Sequence, residues 1–485
     1  MLPPASSCLP ASSVCWERVA EQVAQADCAR GQIADESRGR FAIFAIVSIA
    51  LMMSSVDQTI VATALPAIQH DLAAQVNWSS WTITIYALGQ VLVMPLAGKM
   101  GDQFGRKRIF LGAAALFTTA SLCCGLATNI YLLIVLRAIQ AIGGGAFMPS
   151  ATGIVTDTFG ENRDRAVGLF SSIFPIGGIV GPILGGVFVS YWSWRGIFLV
   201  NVPIGIVLLV LGTFFIPDIA RRPDQHFDVR GIVLLGSMLL PAMLGIGYLG
   251  GAGGNPASPF FIVPEVIAVV ACAAFVRHAG RAKSPFVSLR FITGRGFGVM
   301  NLLNFLYGGA VLGFAPLVPL YAEERYGLSA LAAGTLLTAR AVGMIATAGL
   351  AVYLLRRSGY RWPIAVGFTL AAVGLVATAA SPHSLSTYAW LAMATGITGV
   401  GVGISTPASN NATLQLAPDQ TAAVAGLRGM FRQAGAITGV SITASVIARS
   451  SDPGLAQAHV FVVFAAILVA SLPLVFLVPE HRGSW

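Results

Sequence analysis

Fourteen apolar runs in a chain of 485 residues constrain the possible fold more than any other feature of this sequence. Each run is long enough to cross about 30 Å of hydrocarbon as a helix. Because backbone polar groups in lipid must be satisfied internally, the runs predict an all-α membrane protein. The predicted spans are residues 42–65, 78–98, 109–127, 130–154, 166–190, 196–216, 229–249, 259–277, 297–321, 329–353, 363–380, 387–412, 422–447 and 459–478.

The distribution of basic residues predicts the orientation of these spans. Only 10% of the residues are charged, against about 25% in a soluble domain. Of the 29 Lys and Arg residues, 22 lie in the tails and loops of one side, 3 on the other side and 4 within spans. Basic loops stay in the cytoplasm, so we expect a multi-pass inner-membrane protein with both termini cytoplasmic. The net charge of +9 then reflects topology, and no nucleic-acid partner is expected.

Several function classes find no support in the sequence. The six cysteines form no CxxC pair, the six histidines are scattered, and no phosphate-binding Gly-x-x-x-x-Gly-Lys-Ser/Thr loop occurs. We therefore expect no metal, no cofactor, no use of ATP and no enzymatic activity. Residues 1–40 are expected to be a cytoplasmic tail, either disordered or with a short amphipathic helix over Val14–Ala26.

An internal repeat divides the predicted spans into two halves. At an offset of 258 residues, glycines and prolines of spans four and five align with those of spans twelve and thirteen; among them, Gly143, Gly145 and Pro149 align with Gly401, Gly403 and Pro407. Parallel repeats of this kind place a substrate site at their interface. We therefore expect a six-helix bundle over 41–222, two inserted helices over 223–295, and a second six-helix bundle over 296–485.

The loop after span two carries a motif that favours a gating role. It combines small residues, which permit a tight turn, with an acid that can accept backbone hydrogen bonds at a helix N-terminus. An ordinary positively charged loop is the alternative interpretation. The residues expected to act in gating are Gly98, Asp102, Gly105, Arg106, Lys107 and Arg108.

This loop resembles the signature loop of the major facilitator superfamily, with Gln103 where a basic residue is usual. The segment Asp57–Pro66 resembles the first-helix motif of its fourteen-span drug:proton antiporters. Three further segments are similar to that family: Trp194–Gly205, Phe227-Asp228-x-x-Gly231 and Arg432-Gln433-x-Gly435. A motif of span five resembles the antiporter motif of its drug exporters and consists of Gly177, Gly181, Pro182, Gly185 and Gly186.

The resemblance implies the major facilitator fold with fourteen spans and exchange of substrate for protons. Asp57 is the main acid within a span, where a carboxylate must be paired, protonated or in contact with water. We interpret it as the proton-coupling residue, with a structural acid bonded to hydroxyls as the alternative. Arg137 resembles the family's fourth-helix arginine, which is thought to assist proton transfer; a structural arginine bonded to helix carbonyls is the alternative.

The spans contain four arginines but only one firmly embedded acid, Asp57; the arginines are Arg137, Arg340, Arg428 and Arg432. This excess of cations favours an amphipathic substrate that is neutral, zwitterionic or weakly anionic. The expected cavity residues are aromatic and polar side chains of both halves, namely Trp81, Tyr86, Asn304, Phe305, Tyr307, Arg340, Asn410, Asn411 and Arg432.

Together these patterns predict a monomeric, proton-coupled antiporter that exports amphipathic drugs or metabolites by alternating access. One alternative is a facilitator or importer of a metabolite on the same scaffold, which the span-five motif disfavours. The other is a membrane sensor or scaffold that binds a ligand without moving it, which would need neither a gating loop nor a proton site.

Overall fold

A computed structural model describes residues 12–74, 76–171, 173–218, 228–250, 254–282, 285–294, 296–381 and 385–479, and the described elements are helices joined by short loops. The helices are α1 Ser12–Asp71, α2 Val76–Phe104, α3 Arg106–Gly125, α4 Ile130–Phe159, α5 Arg163–Ser171, α6 Ile173–Tyr191, α7 Gly196–Leu199, α8 Asn201–Phe215, α9 Val229–Leu249, α10 Pro259–Ala279, α11 Leu289–Thr293, α12 Phe297–Tyr307, α13 Leu317–Tyr326, α14 Ala330–Ser358, α15 Arg361–Ala379, α16 Thr387–Leu414, α17 Thr421–Ile447, α18 Pro453–Ala470 and α19 Leu472–Val475.

Within the described residues, twelve helices are long and apolar enough to cross a membrane. They correspond to the predicted spans other than the fifth and the thirteenth. The fifth corresponds to α5 and α6, and Ile176–Tyr191 of α6 is an apolar stretch within it. The thirteenth is α17, whose 27 residues include two arginines and many small or polar side chains. The first span is part of a helix that begins at Ser12, within the segment expected to be a tail.

The two halves of the sequence repeat pack in the same way. A Cβ atom at Gly143 of α4 would lie 2.6 Å from the Ala113 carbonyl oxygen of α3, and one at Gly401 of α16 would lie 2.6 Å from the Ala371 nitrogen of α15. The partners, like the glycines, are 258 residues apart. Small residues at these crossings let the helix backbones approach closely, as in other membrane helix pairs.

Two seams join the halves: α2 packs against α17, and α6 packs against α14. At the first seam, a Cβ atom at Gly98 would lie 2.3 Å from the Ala422 carbonyl oxygen, and one at Gly426 would lie 2.2 Å from the Met94 carbonyl oxygen. The inserted helix α9 packs against both α2 and α17. The apolar cluster there unites side chains from α2, α9, α10 and α17.

Asp228 fixes the start of the inserted pair. Its carboxylate caps α9 by accepting the Gly231 N–H at 2.9 Å and also accepts the Phe286 N–H at 2.9 Å. His278 Nε2 lies 2.8 Å from the same carboxylate. Burial raises the pKa of Asp228, but these hydrogen bonds outweigh burial and hold the pKa below its usual value. Phe227 of the same sequence motif lies outside the described residues.

Candidate functional site

A buried ion pair joins α1 to α4. Asp57 Oδ2 lies 2.6 Å from Arg137 Nη1, and both side chains are buried. Gln140, one turn after Arg137, accepts a hydrogen bond from Arg137 Nη1 at 2.8 Å and donates one to Asp57 Oδ1 at 2.9 Å. The three side chains form a closed ring of hydrogen bonds, so a change in one alters the bonding of the other two.

Two further helices complete this network. Asn201 of α8 donates to Asp57 Oδ1 at 3.2 Å. Ser121 Oγ of α3 accepts from Gln140 Nε2 and from Asn201 Nδ2, both at 3.1 Å. All of these side chains are buried. The carboxylate of Asp57 therefore has one cation and two amide donors as partners, contributed by α4 and α8.

Arg137 has contacts that do not depend on Asp57. Its Nε donates to the Thr82 carbonyl oxygen at 3.1 Å, and its Cζ lies 4.0 Å from the centroid of the Tyr86 ring. An arginine remains charged under physiological conditions. Protonation of Asp57 would therefore end the ion pair and leave Arg137 held by the carbonyl group, the aromatic ring and Gln140.

The loop between α2 and α3 links the two halves at one end of the bundle, which we call the loop side. Gly105 has a φ of +102° and makes the turn between the helices. Arg106 Nη2 lies 2.8 Å from Asp102 Oδ1, and Arg106 Nη1 lies 2.6 Å from Asp157 Oδ1. Asp102 Oδ2 accepts the Ala423 N–H at 3.1 Å, at the first turn of α17. A carboxylate is favourable at this end of a helix.

Further hydrogen bonds close the loop side. Asn411 Nδ2 of α16 donates to the Asp164 carbonyl oxygen of α5 at 2.9 Å, and Gln415 Nε2 donates to Asp164 Oδ2 at 3.2 Å. The hydroxyl oxygens of Thr156 and Thr421 lie 3.1 Å apart. The halves are thus in direct contact at this end.

The other two basic residues of the loop do not join the halves. Lys107 donates to the Thr213 carbonyl oxygen of α8 at 2.8 Å, and Arg108 is exposed.

The glycine motif of α6 packs against α1, on which Asp57 lies. Cβ atoms at Gly177 and Gly181 would lie 2.5 Å from Ser55 Cβ and 2.0 Å from Thr59 Oγ1. Thr59 Oγ1 also donates to the Gly177 carbonyl oxygen at 3.3 Å. At Gly185 the nearest contact would be 3.0 Å, whereas a Cβ atom at Gly186 would meet nothing within 4 Å. Pro182 lies within α6. Helix α1, which carries Asp57, and the glycine-motif helix α6 therefore share one tight interface.

The expected cavity residues lie in several different environments. Tyr86 belongs to the Arg137 site, and Asn411 belongs to the loop-side contacts. Trp81 and Phe305 are half-buried against the apolar cluster at the α2–α17 seam. Asn410 is buried on α16. These five residues therefore do not share one pocket.

Residues of the C-terminal half form a second polar group. Asn304 is buried and its side-chain carbonyl accepts a hydrogen bond from Ser409 at 3.5 Å. The Tyr307 hydroxyl lies 3.1 Å from Thr406 Oγ1. Arg340 Nη2 donates to the Val311 carbonyl oxygen at 3.1 Å, and a Cβ atom at Gly308 would lie 2.0 Å from the Arg432 carbonyl oxygen. Four of the expected cavity residues therefore lie on α12, α14 and α17 of the same half.

Three residues of the Asp57 network were not among the predicted site residues. Gln140 lies three residues after Arg137, and Asn201 lies in the family-like segment Trp194–Gly205, so their polar side chains inside apolar runs are a detectable signal. No comparable sequence signal identifies Ser121, because serine is common in membrane helices and the residues around it resemble no motif.

Comparisons with known proteins agree with this architecture. The family model described as "Major Facilitator Superfamily" matches residues 47–297 and 300–485. Among solved structures, the chain resembles that of the human organic anion transporter MFSD10 (TETRAN), with a TM-score of 0.68 and 15% identity over 90% of this chain and 99% of that one. It also resembles the proton:xylose symporter XylE, with a TM-score of 0.65 and 14% identity over 92% and 97% of the two chains. At these identities the likeness concerns the fold.

Similar sequences come from several bacteria. The multidrug resistance protein B homolog of Mycobacterium tuberculosis strain H37Rv is 31% identical over 81% of this chain and 74% of its own length. The tetracenomycin C resistance and export protein of Streptomyces glaucescens is 30% identical over 83% and 74%. The multidrug transporter protein MdtP of Bacillus subtilis is 28% identical over 83% and 75%.

Proposed function

Because the chain belongs to the major facilitator superfamily, we propose that it is a transporter that exports amphipathic drugs or metabolites in exchange for protons. The names of its bacterial relatives support drug export. The proposal includes fourteen crossings of the inner membrane, with α6 and α17 added to the twelve apolar spans. Helix α6 is apolar and exposes Ile183 and Val187. Helix α17 is largely buried among other helices, and that burial explains why it needs no strongly apolar surface.

The proposed topology places the loop side and both termini in the cytoplasm. The 22-to-3 distribution of loop Lys and Arg supports this orientation. The two six-helix bundles, 41–222 and 296–485, would rock about their seams, and 223–295 would supply the inserted pair. With the loop side closed, the described arrangement corresponds to a state that faces outward. The transporter is proposed to act as a monomer.

The single observation that carries the proton-coupling assignment is the buried pair of Asp57 and Arg137. A buried ion pair that loses one charge typically leaves a penalty of about 3–5 kcal/mol on the other. Uptake of a proton at Asp57 from the outside would therefore change the preferred packing of α1 against α4. Release of that proton to the cytoplasm would restore the ion pair and complete the cycle.

The loop side provides the other half of the proposed cycle. Asp102 would hold α2 against α17 through the Ala423 N–H while the outward-facing state is occupied, with Arg106 bonded to the other oxygen of the same carboxylate. The bonds must break when the cytoplasmic side opens. The tight α1–α6 interface would transmit the change at Asp57, because α6 also packs against α14 of the other half.

The experiment that tests this function is proton-driven transport by Asp57→Asn in everted vesicles from a pump-deficient host. We expect loss of export driven by a pH gradient, with substrate binding retained. Asp71→Asn is the matched control, since Asp71 lies on the same helix but is half exposed and paired with Arg195. Full pH-driven export by Asp57→Asn would refute the coupling assignment.

The two alternatives give different results in the same vesicles. A facilitator or importer would show substrate counterflow that is independent of the pH gradient in both the wild type and Asp57→Asn. A sensor or scaffold would bind substrate without any counterflow.

A further inference from the structure

Three arginines of the C-terminal half lie on two helices that border Tyr307 and the turn after it. Arg340 of α14 donates to the Val311 carbonyl oxygen of that turn at 3.1 Å, and Arg428 and Arg432 belong to α17, which packs against α12 and the turn. Arg428 is 2% exposed and Arg340 is 9% exposed. Arg428 and Arg432 are one helical turn apart and therefore lie on the same face of α17. We call these four side chains the arginine cluster.

The cluster has no acidic partner. The helices that carry it, α12, α14 and α17, and the neighbouring α16 contain no Asp or Glu. Helices α2 and α4, which also pack against α17, contain Asp102 and Asp157, and both of these acids pair with Arg106. The acids of the chain after residue 296 are Glu323, Glu324, Asp419, Asp452 and Glu480. Within the described part of the chain, none of these forms an ion pair with the cluster. This distinguishes the cluster from Arg137, whose charge is balanced by Asp57.

Hydrogen bonding within the cluster is also incomplete. Arg340 Nη2 donates to the Val311 carbonyl oxygen at 3.1 Å. The Nε atoms of Arg340 and Arg428 are buried and have no hydrogen-bond partner among the described residues. Arg428 and Arg432 form no hydrogen bond or ion pair with any described residue. Buried donors are almost always satisfied in folded proteins, so these guanidinium groups are arranged to receive an additional partner.

The backbone around the cluster is shaped for close packing. Residues Gly308–Leu312, directly after Tyr307, form a π-helical turn, a distortion that occurs frequently at functional sites. A Cβ atom at Gly308 would lie 2.0 Å from the Arg432 carbonyl oxygen, so only glycine lets α12 and α17 meet here. The π-helical turn also supplies the Val311 carbonyl group that binds Arg340.

We propose that the arginine cluster binds the carboxylate of the transported compound, which makes the substrate an amphipathic organic anion. Guanidinium groups bind carboxylates through paired, charge-assisted hydrogen bonds. The inference rests on the proposed transport function and narrows its substrate class. It also separates the two ligands: the proton binds in the N-terminal half and the substrate anion in the C-terminal half.

The separation of the proton site from the anion site has a measurable consequence for the charge that moves in each cycle. Export of a monoanion in exchange for one proton moves two elementary charges inward per cycle, whereas a neutral compound moves one and a monocation moves none. Each charge corresponds to about a 50-fold concentration ratio per 100 mV. An inside-negative potential should therefore stimulate export of the anion more strongly than export of a neutral analogue.

The test compares three probes of matched size, an arylalkyl carboxylate, its methyl ester and the corresponding amine, for binding to the full-length protein in nanodiscs. We expect the carboxylate to bind at least about tenfold more tightly than the ester or the amine. Arg428→Gln should remove that preference and leave ester binding unchanged. Arg428→Lys should retain part of it, and Arg449→Gln, an exposed arginine at the end of α17, should retain all of it.

The outcomes separate this inference from the transport proposal. Equal binding of the three probes to the wild type, preference for the amine, or an unchanged carboxylate preference in Arg428→Gln would overturn the anion site. If Arg428→Gln does not fold, Arg340→Gln and the wild-type probe series decide the question. Pump activity of Asp57→Asn at the wild-type level would overturn proton coupling and leave the probe preference intact.

Discussion

The seam at Gly98 offers a direct way to shift the balance between the two states that the proposed transport cycle requires. A Cβ atom at this position would lie 2.3 Å from the Ala422 carbonyl oxygen and 2.9 Å from Ala423 Cα. These are backbone atoms of the other half, so they cannot move aside as a side chain could. Gly98→Ala should therefore oppose closure of the loop side while leaving each half intact.

The magnitude follows from the contact. Overpacking a tight site costs about 1–3 kcal/mol. Because the clash exists only when α2 and α17 touch, this cost falls on the loop-side-closed state alone. The ratio of closed to open molecules should then fall by about 5- to 150-fold. Gly101→Ala is the matched control, since its nearest contacts at Arg106 and Ala422 would be 3.7 and 3.8 Å.

The assay is the rate of maleimide labelling of a thiol introduced by Thr156→Cys into a background without the native cysteines. Thr156 is buried and lies against Thr421 in the closed state, so labelling reports opening of the loop side. Gly98→Ala should accelerate labelling relative to Gly101→Ala. Equal rates in the two variants would show that the seam does not control the closed state.

Two further outcomes follow from described contacts. Gly181→Ala would bring a methyl group into Thr59 of α1. It should therefore lower the rate of exchange and increase substrate leak, measured as uncoupled efflux. Gly178→Ala is the control, because its methyl group would meet open space, and it should match the wild type. Asp228→Ala should lower the free energy of unfolding by about 1–2 kcal/mol, seen as a lower melting temperature. Because the pKa of Asp228 is held below its usual value, its contribution is complete above about pH 4 and is lost only as the pH falls through the folded-state pKa. A loss of the Asp228 contribution between pH 8 and pH 5 would contradict this assignment.

The boundaries of the spans could be read from the sequence because hydrocarbon thickness imposes a minimum length on each apolar run. Helices α9, α10 and α16 begin at the predicted residues, 229, 259 and 387. One exception is informative. Helix α17 carries two arginines and is largely covered by neighbouring helices. Searching for long apolar runs detects helices that are exposed to lipid, and it misses a helix that is surrounded by other helices.

The candidate site could be predicted only in part. An acid and an arginine within spans one and four indicated a pair, and the structure brings Asp57 and Arg137 to 2.6 Å. The ring closed by Gln140 depends on its position one turn from Arg137 and on the angle at which α1 crosses α4. The placement of Arg340 and Arg428 beside the turn after Tyr307 depends on helix packing across about 120 residues of sequence, which no local pattern contains.

The position of α9 has a consequence for how lipophilic compounds reach the interior. This helix lies along the α2–α17 seam and contacts both of its walls. The α6–α14 seam is not covered by α9 or α10 in the described part of the chain. Compounds dissolved in the bilayer would thus have one lateral entrance rather than two. Although the two halves repeat in sequence, lipid-dissolved compounds would therefore enter only at the α6–α14 seam.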